Sequence, residues 1–134
     1  MRRIAATESN FGTHPNTYRS GYDGGIWQVD RIGFLETQST SSHPGLARKH
    51  ALIKEKLGID WSTVTYSDLR KPLYSALAAR QVISNWPRAI PDTVDGQANE
   101  WKTYYNTEAG AGTVKHFIDN SELISGDATC SWCN

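Results

Sequence analysis

The stretch from Ser67 to Pro87 constrains the fold most, because its start, its periodicity and its stop all point to one helix. Ser67 is a candidate cap, Pro72 sits near the start where proline is tolerated, and Leu73, Ala76, Leu77, Arg80 and Ile83 recur at helical spacing until Trp86-Pro87 ends the run. The rest of the chain is cut up in the same way. Pro44 opens a second helical pattern carried by Leu46, His50, Ile53 and Leu57 and stopped by Gly58. A short helix is expected over Arg2–Ser9, another from about Asp95 to Asn106 with Trp101, Tyr104 and Tyr105 on its apolar side, and one over Thr113–Asp119 with Val114, Phe117 and Ile118 inward.

Between these lie polar or glycine-rich connections. Asn10 to Gly25 reads as a loop with turn signals at His14-Pro15-Asn16 and Asp23-Gly24-Gly25, and Thr37 to Ser42 as another, while Trp86 to Pro91 reads as irregular. Ile26 to Val29 alternates weakly and is expected to form a short strand. The expectation is a mostly α fold of about five helices around a cleft, with a minor short-strand element, in one domain spanning residues 1–134.

Composition narrows the functional classes. Fourteen basic and fourteen acidic side chains cancel, which argues against a nucleic-acid partner, because phosphate recognition calls for a basic face. No apolar run is long enough for a membrane span, and Met1-Arg2-Arg3-Ile4 is not followed by a signal-peptide core. The four histidines are scattered without metal-ligand spacing, so neither a metal nor another cofactor is expected. Cys130 and Cys133 form a lone C-x-x-C without a second pair, read as a tail clip or two free thiols.

Three segments carry candidate chemistry. Ala5-Ala6-Thr7-Glu8-Ser9-Asn10-Phe11-Gly12 places a carboxylate at a helix C-terminus, where the dipole disfavours charge and burial beside Phe11 would raise its pKa. A glycosidase acid needs that property, although a solvated glutamate at a frayed end is the plain alternative. Gly24-Gly25-Ile26-Trp27-Gln28-Val29-Asp30 offers Gly25 for close approach of a ligand or of backbone, Trp27 as a sugar platform or core aromatic, and Gln28 as a bifunctional amide. Asp30 is there a water-orienting base or the cap of the next turn. Tyr104-Tyr105-Asn106-Thr107-Glu108-Ala109-Gly110-Ala111-Gly112 ends one helix and begins another.

In this order the segments resemble the goose-type lysozyme and soluble lytic transglycosylase group, in which a Glu-Ser helix end precedes a G-L-M-Q element and a distant Y-N-A-G segment. Here these stand as Glu8-Ser9, Gly25-Ile26-Trp27-Gln28 and Tyr105-Asn106, and Gln28-Val29-Asp30 is similar to the G-L-M-Q-V-D of the lysozyme branch. The chain departs from the pattern at Trp27 for Met, at Thr107-Glu108 inserted before Ala109-Gly110, and in the seven residues that precede Glu8.

The resemblance implies a lysozyme-like fold and cleavage of β-1,4 bonds between the N-acetylated sugars of peptidoglycan. It implies Glu8 as general acid and Asp30, with Asp23 as a positional second aspartate, holding the attacking water. An inverting pair of that kind stands ~6.5–9.5 Å apart. It further implies Gly25, Trp27, Gln28, Tyr105 and Asn106 as substrate-binding residues, no cofactor, a polysaccharide as the partner, a monomer, and an extracellular or virion-associated location. A lytic transglycosylase, a chitin-directed enzyme and a silent glycan-binding module stay open as alternatives.

Overall fold

The computed structural model describes residues 1–126, with side chains to Ile124. Six α-helices run in the order α1 Arg2–Ser9, α2 Arg31–Gln38, α3 Leu46–Leu57, α4 Pro72–Ser84, α5 Val94–Glu100 and α6 Val114–Gly126. Short 3-10 turns at Gly25–Trp27, Trp61–Thr63 and Tyr66–Arg70 link them, and a π-helical turn at Trp101–Asn106 prolongs α5. No strand occurs among the described residues. Cys130 and Cys133 lie outside them. No helix of the described residues is long and apolar enough to cross a membrane.

The helices follow local rules. Gly58 ends α3 in the left-handed conformation at φ 69, Pro72 occupies the first turn of α4, and the Thr93 hydroxyl accepts from Gly96 N at the start of α5. Thr65 and Asp68 form a reciprocal capping box on the Tyr66–Arg70 turn, which therefore takes Ser67 into its interior instead of leaving it to cap α4. The buried face of α4 also differs from the apolar series Leu73, Ala76, Leu77, Arg80, Ile83. Leu73 is 48% exposed, whereas Ser75, Ala78 and Ala79 are fully buried. Small residues face inward because the neighbouring turns press their backbone against this helix.

Two sequence expectations are corrected here. No helix is expected over Arg31–Gln38, and Thr37 is read into a loop; the segment is helix α2, with Asp30 Oδ1 accepting from Gly33 N at 2.6 Å. It buries only Phe34 and Thr37 and exposes Ile32 and Leu35, so its apolar pattern points both ways. The segment Ile26–Val29 is not a strand. Gly25 at φ 69 and Gln28 at φ 48 turn the chain left-handed at both ends of a 3-10 turn, which an extended strand does not allow.

Five of the six carbonyls from Gly24 to Val29 accept from hydroxyls, and the sixth, Gly25 O, accepts from Gln28 N and Nε2. Ser75 Oγ donates to Gly24 O at 2.8 Å, Ser9 Oγ to Ile26 O at 2.6 Å and Tyr105 OH to Trp27 O at 2.6 Å. Tyr22 OH donates to Gln28 O at 2.7 Å and Tyr66 OH to Val29 O at 3.0 Å. Each donor comes from a different part of the chain, so the turn is the meeting point of α1, α4, the π turn, the Tyr66–Arg70 turn and the loop that carries Tyr22. Trp27 and Tyr105 pack against both core clusters, one built on Phe34, Trp61, Tyr66 and Leu69 and the other on Ile4, Ile83, Trp101 and Phe117. The molecule is thereby joined across its middle.

The turn leaves no room for side chains at its glycines. A Cβ on Gly25 would stand 1.9 Å from Leu69 O, and one on Gly24 would stand 2.3 Å from Val29 O. Gly58 shares the positive φ of Gly25 but has nothing within 4 Å. Gly58→Ala is therefore expected to cost about 1–2 kcal/mol, the left-handed penalty alone, and Gly25→Ala distinctly more as overpacking adds to it. Urea denaturation of both variants measures the difference, and equal losses would contradict this packing.

Candidate active site

An open cavity of about 410 Å3 lies between the end of α1 and the 24–30 segment on one side and the π turn on the other, within the range of ligand sites. Glu8 lines it, together with Arg19, Tyr22, Gln28, Asp30, Ile32, Val82 and the run Tyr104 to Thr107. Glu8 reaches it from the last turn of α1, which closes with Asn10 in the left-handed conformation while Ser9 Oγ ties the helix end to Ile26 O. The Glu-Ser pair thus divides its work. Ser9 anchors and Glu8 faces the cavity.

Glu8 Oε1 accepts a hydrogen bond from Trp101 Nε1 at 2.8 Å, and Oε2 has no protein hydrogen bond among the described residues. Burial pushes the Glu8 carboxyl up from 4.5 to about 7, against the opposing pull of the Trp101 N–H and the Arg19 charge, both of which favour the carboxylate. The aromatic expected beside it was Phe11. Phe11 instead stands 44% exposed at φ 56, and the indole against the carboxyl is that of Trp101, 1% exposed and brought from the other end of the chain. No local signal around Glu8 announces that partner.

The other expected site residues divide. Asp30 lines the cavity while its Oδ1 caps α2, and Oδ2 carries no hydrogen bond among the described residues. Asp23 is not on the cavity wall; its carboxylate pairs with Arg70 at 3.1 Å. Tyr105 and Asn106 line the cavity. The Tyr105 hydroxyl is spent on Trp27 O, and burial beside Glu8 holds its pKa far above the ordinary phenol value, so it remains a proton donor. Gly25 and Trp27 are not on the wall. Gly25 is buried under Leu69 and Ser75, and Trp27 sits between the two core clusters, so both take the packing alternative.

Gln28 is on the wall but its amide is committed. Nε2 donates to Thr17 O and to Gly25 O, each at 2.8 Å, and Oε1 accepts from Arg19 Nη1 at 2.7 Å. Both amide protons are consumed, leaving none for a ligand. Lys102, which the sequence did not single out, shapes the opposite wall: Nζ donates to Asn106 Oδ1, Thr107 O and Gly110 O at 2.9, 2.7 and 2.9 Å. It closes the π turn as a cation at a helix C-terminus, and helical spacing alone would have placed it on a solvated face.

Comparison with protein-family models, curated proteins and solved structures finds no match for the chain.

The raised Glu8 pKa has a stability consequence. Folded, the group holds its proton to about pH 7, whereas the unfolded chain releases it near 4.5, so its contribution is complete below 4.5 and is lost as pH rises through 7. The difference is worth up to roughly 3 kcal/mol. Glu8→Gln, which keeps the acceptor for Trp101 and cannot ionise, should gain in Tm over wild type between pH 5 and pH 8. Thermal unfolding at the two values checks this, and an unchanged Tm gap would show that Glu8 ionises as it does in the unfolded chain.

Proposed function

We propose that the chain is a lysozyme-like glycoside hydrolase cutting β-1,4 bonds between the N-acetylated sugars of peptidoglycan, with Glu8 as the general acid. The observation that carries the reading is Glu8 itself: a largely buried carboxyl on a cavity wall, held protonated to about pH 7, with one oxygen fixed by Trp101 and the other free of protein partners. A carboxylic acid kept neutral near physiological pH in a cleft is what protonation of a glycosidic oxygen demands. The resemblance of Glu8-Ser9, Gln28-Val29-Asp30 and Tyr105-Asn106 to the goose-type lysozyme group supports the choice of substrate.

In the proposed step the Glu8 proton passes from Oε2 to the leaving oxygen. The indole N–H on Oε1 and the Arg19 guanidinium then stabilise the carboxylate that forms, so the two influences that oppose the raised pKa favour the transfer once it begins. Asp30 is the second carboxylate on the wall, and its free Oδ2 is the group that would hold the attacking water. Bond cleavage should fall on the alkaline side as pH passes about 7, where Glu8 loses its proton.

One observation favours a second reading. Asp23 is engaged with Arg70 away from the cavity, so Asp30 stands without the second aspartate of a lysozyme-type pair. A lytic transglycosylase needs no such pair, because the sugar's own 6-hydroxyl attacks. Glu8→Gln should abolish release of soluble fragments from purified peptidoglycan under either reading, and turnover equal to wild type would overturn both. Asp30→Asn separates them, since asparagine caps a helix as well as aspartate does. For the hydrolase it should lower kcat at least ~100-fold, within the span of general-base contributions, with unchanged Tm. Wild-type rates in that variant, with products one water lighter by mass spectrometry, would establish the transglycosylase.

A further inference from the structure

Among the described residues Arg19 is the cation that lines the cavity itself, Lys102 bracing the π turn from behind, and it is built in rather than loosely placed. Its Nη1 donates to Gln28 Oε1 at 2.7 Å and to Asn16 O at 3.0 Å, using both hydrogens of that nitrogen. The guanidinium plane lies over the Tyr22 ring, with Cζ 3.9 Å from the centroid. The residues that hold it are themselves held. Tyr22 OH is bonded to Gln28 O at 2.7 Å, and the Gln28 amide is fixed by Thr17 O and Gly25 O, both at 2.8 Å.

One edge of this fork is left over. Nε and Nη2 donate to no protein acceptor, and no carboxylate lies within ion-pair distance of Arg19 among the described residues. By contrast, Arg70, which stacks on Tyr18 in a similar way, spends its charge on Asp23. A guanidinium immobilised on a cavity wall with a free pair of parallel donors is preorganised for a carboxylate, because the fork geometry matches and its rotamer entropy is already lost.

We infer that Arg19 is a specificity residue that binds a carboxylate carried on the 3-O substituent of a sugar, so that the cavity selects muramic-acid glycan over chitin. This rests on the glycosidase reading of the same cavity. It also gives Gln28 a function: the amide holds Arg19 in place and does not itself read the substrate. Two sources carry the carboxylate, the lactyl group of glycan stripped of peptide and the stem peptide of intact glycan.

The test uses the full chain carrying Glu8→Gln, which prevents turnover, in calorimetric titrations at pH 6 and low salt. The ligands are chitotetraose, the peptide-free muramic-acid tetrasaccharide, its lactyl methyl ester and the peptide-bearing tetrasaccharide. The carboxylate ligands are expected to bind at least 10-fold more tightly than chitotetraose and the ester. Adding Arg19→Gln should erase that gap while changing affinity for the neutral ligands less than ~2-fold, and adding Arg19→Lys should keep a reduced gap, since charge remains without the fork. A gap for the peptide-free form assigns the lactyl carboxylate as the source, and one confined to the peptide-bearing form assigns the stem.

Affinities for both carboxylate ligands no higher than for chitotetraose and the ester in the parent, or a gap that survives Arg19→Gln, would overturn the assignment. Should Arg19→Gln fail to fold, a gap left undiminished by Arg19→Lys would overturn it as well. Wild-type cleavage of peptidoglycan and of chitotetraose is measured in parallel. If neither is cut, the glycosidase reading falls by itself, whereas cleavage of both at equal efficiency removes only the role of Arg19.

Discussion

The structure depends on a six-residue stretch of backbone whose one regular element is the 3-10 turn Gly25–Trp27. Residues 24 to 29 pass through the middle of the molecule with their carbonyls turned toward other parts of the chain. Buried peptide groups must find partners, and here the partners are the hydroxyls of Ser75, Ser9, Tyr105, Tyr22 and Tyr66. A strand would have satisfied these groups through a neighbouring strand. Using hydroxyls instead lets one turn collect α1, α4, the π turn and the loop ahead of it, and so sets the position of every wall of the cavity.

The same arrangement governs the electrostatics of Glu8. Its carboxyl sits where α1 meets that turn, and the core closing over it removes water on one side. Desolvation raises the pKa, while the Trp101 N–H and the Arg19 charge hold the rise to about 7. The balance needs both directions. Burial without the indole N–H and the Arg19 charge would carry the pKa higher still, and those two without burial would leave an ordinary carboxylate. The π-helical turn belongs to this balance, because the widened turn at Trp101–Asn106 carries Trp101 toward Glu8 and Tyr105 toward Trp27 within five residues.

Much of the helical framework was legible in the chain. Pro72, Gly58 and the apolar spacing around Ile53 and Phe117 mark α3, α4 and α6 because a proline ring and a positive φ act locally. Helix α2 was not legible, since a helix that buries only Phe34 and Thr37 has little periodicity to show. The segment 26–29 misled because its alternation reflects which side chains pack, whereas its backbone is shaped by distant hydroxyls. Of the residues that line the cavity, Glu8, Gln28, Asp30, Tyr105 and Asn106 were singled out from motif and position. Trp101 as the partner of Glu8 and the wall-closing Lys102 were not, because each acts through contacts that no short window of sequence contains; Arg19 was legible only as one of four arginines flanking the site, with a solvated role preferred.

By itself the sequence determined the span of α1, the glycine stop of α3 and the proline start of α4, and that a carboxylate would stand at the end of the first helix. Those are consequences of backbone sterics and of residues within one turn of each other. The tertiary structure alone decided which indole meets that carboxylate, which aspartate faces the cavity and which pairs with Arg70, and which side chains of the 24–30 segment are spent on packing. The physical reason is the same in each case. Burial and charge pairing are properties of a place in the fold, and Trp101 reaches Glu8 across 93 positions of chain.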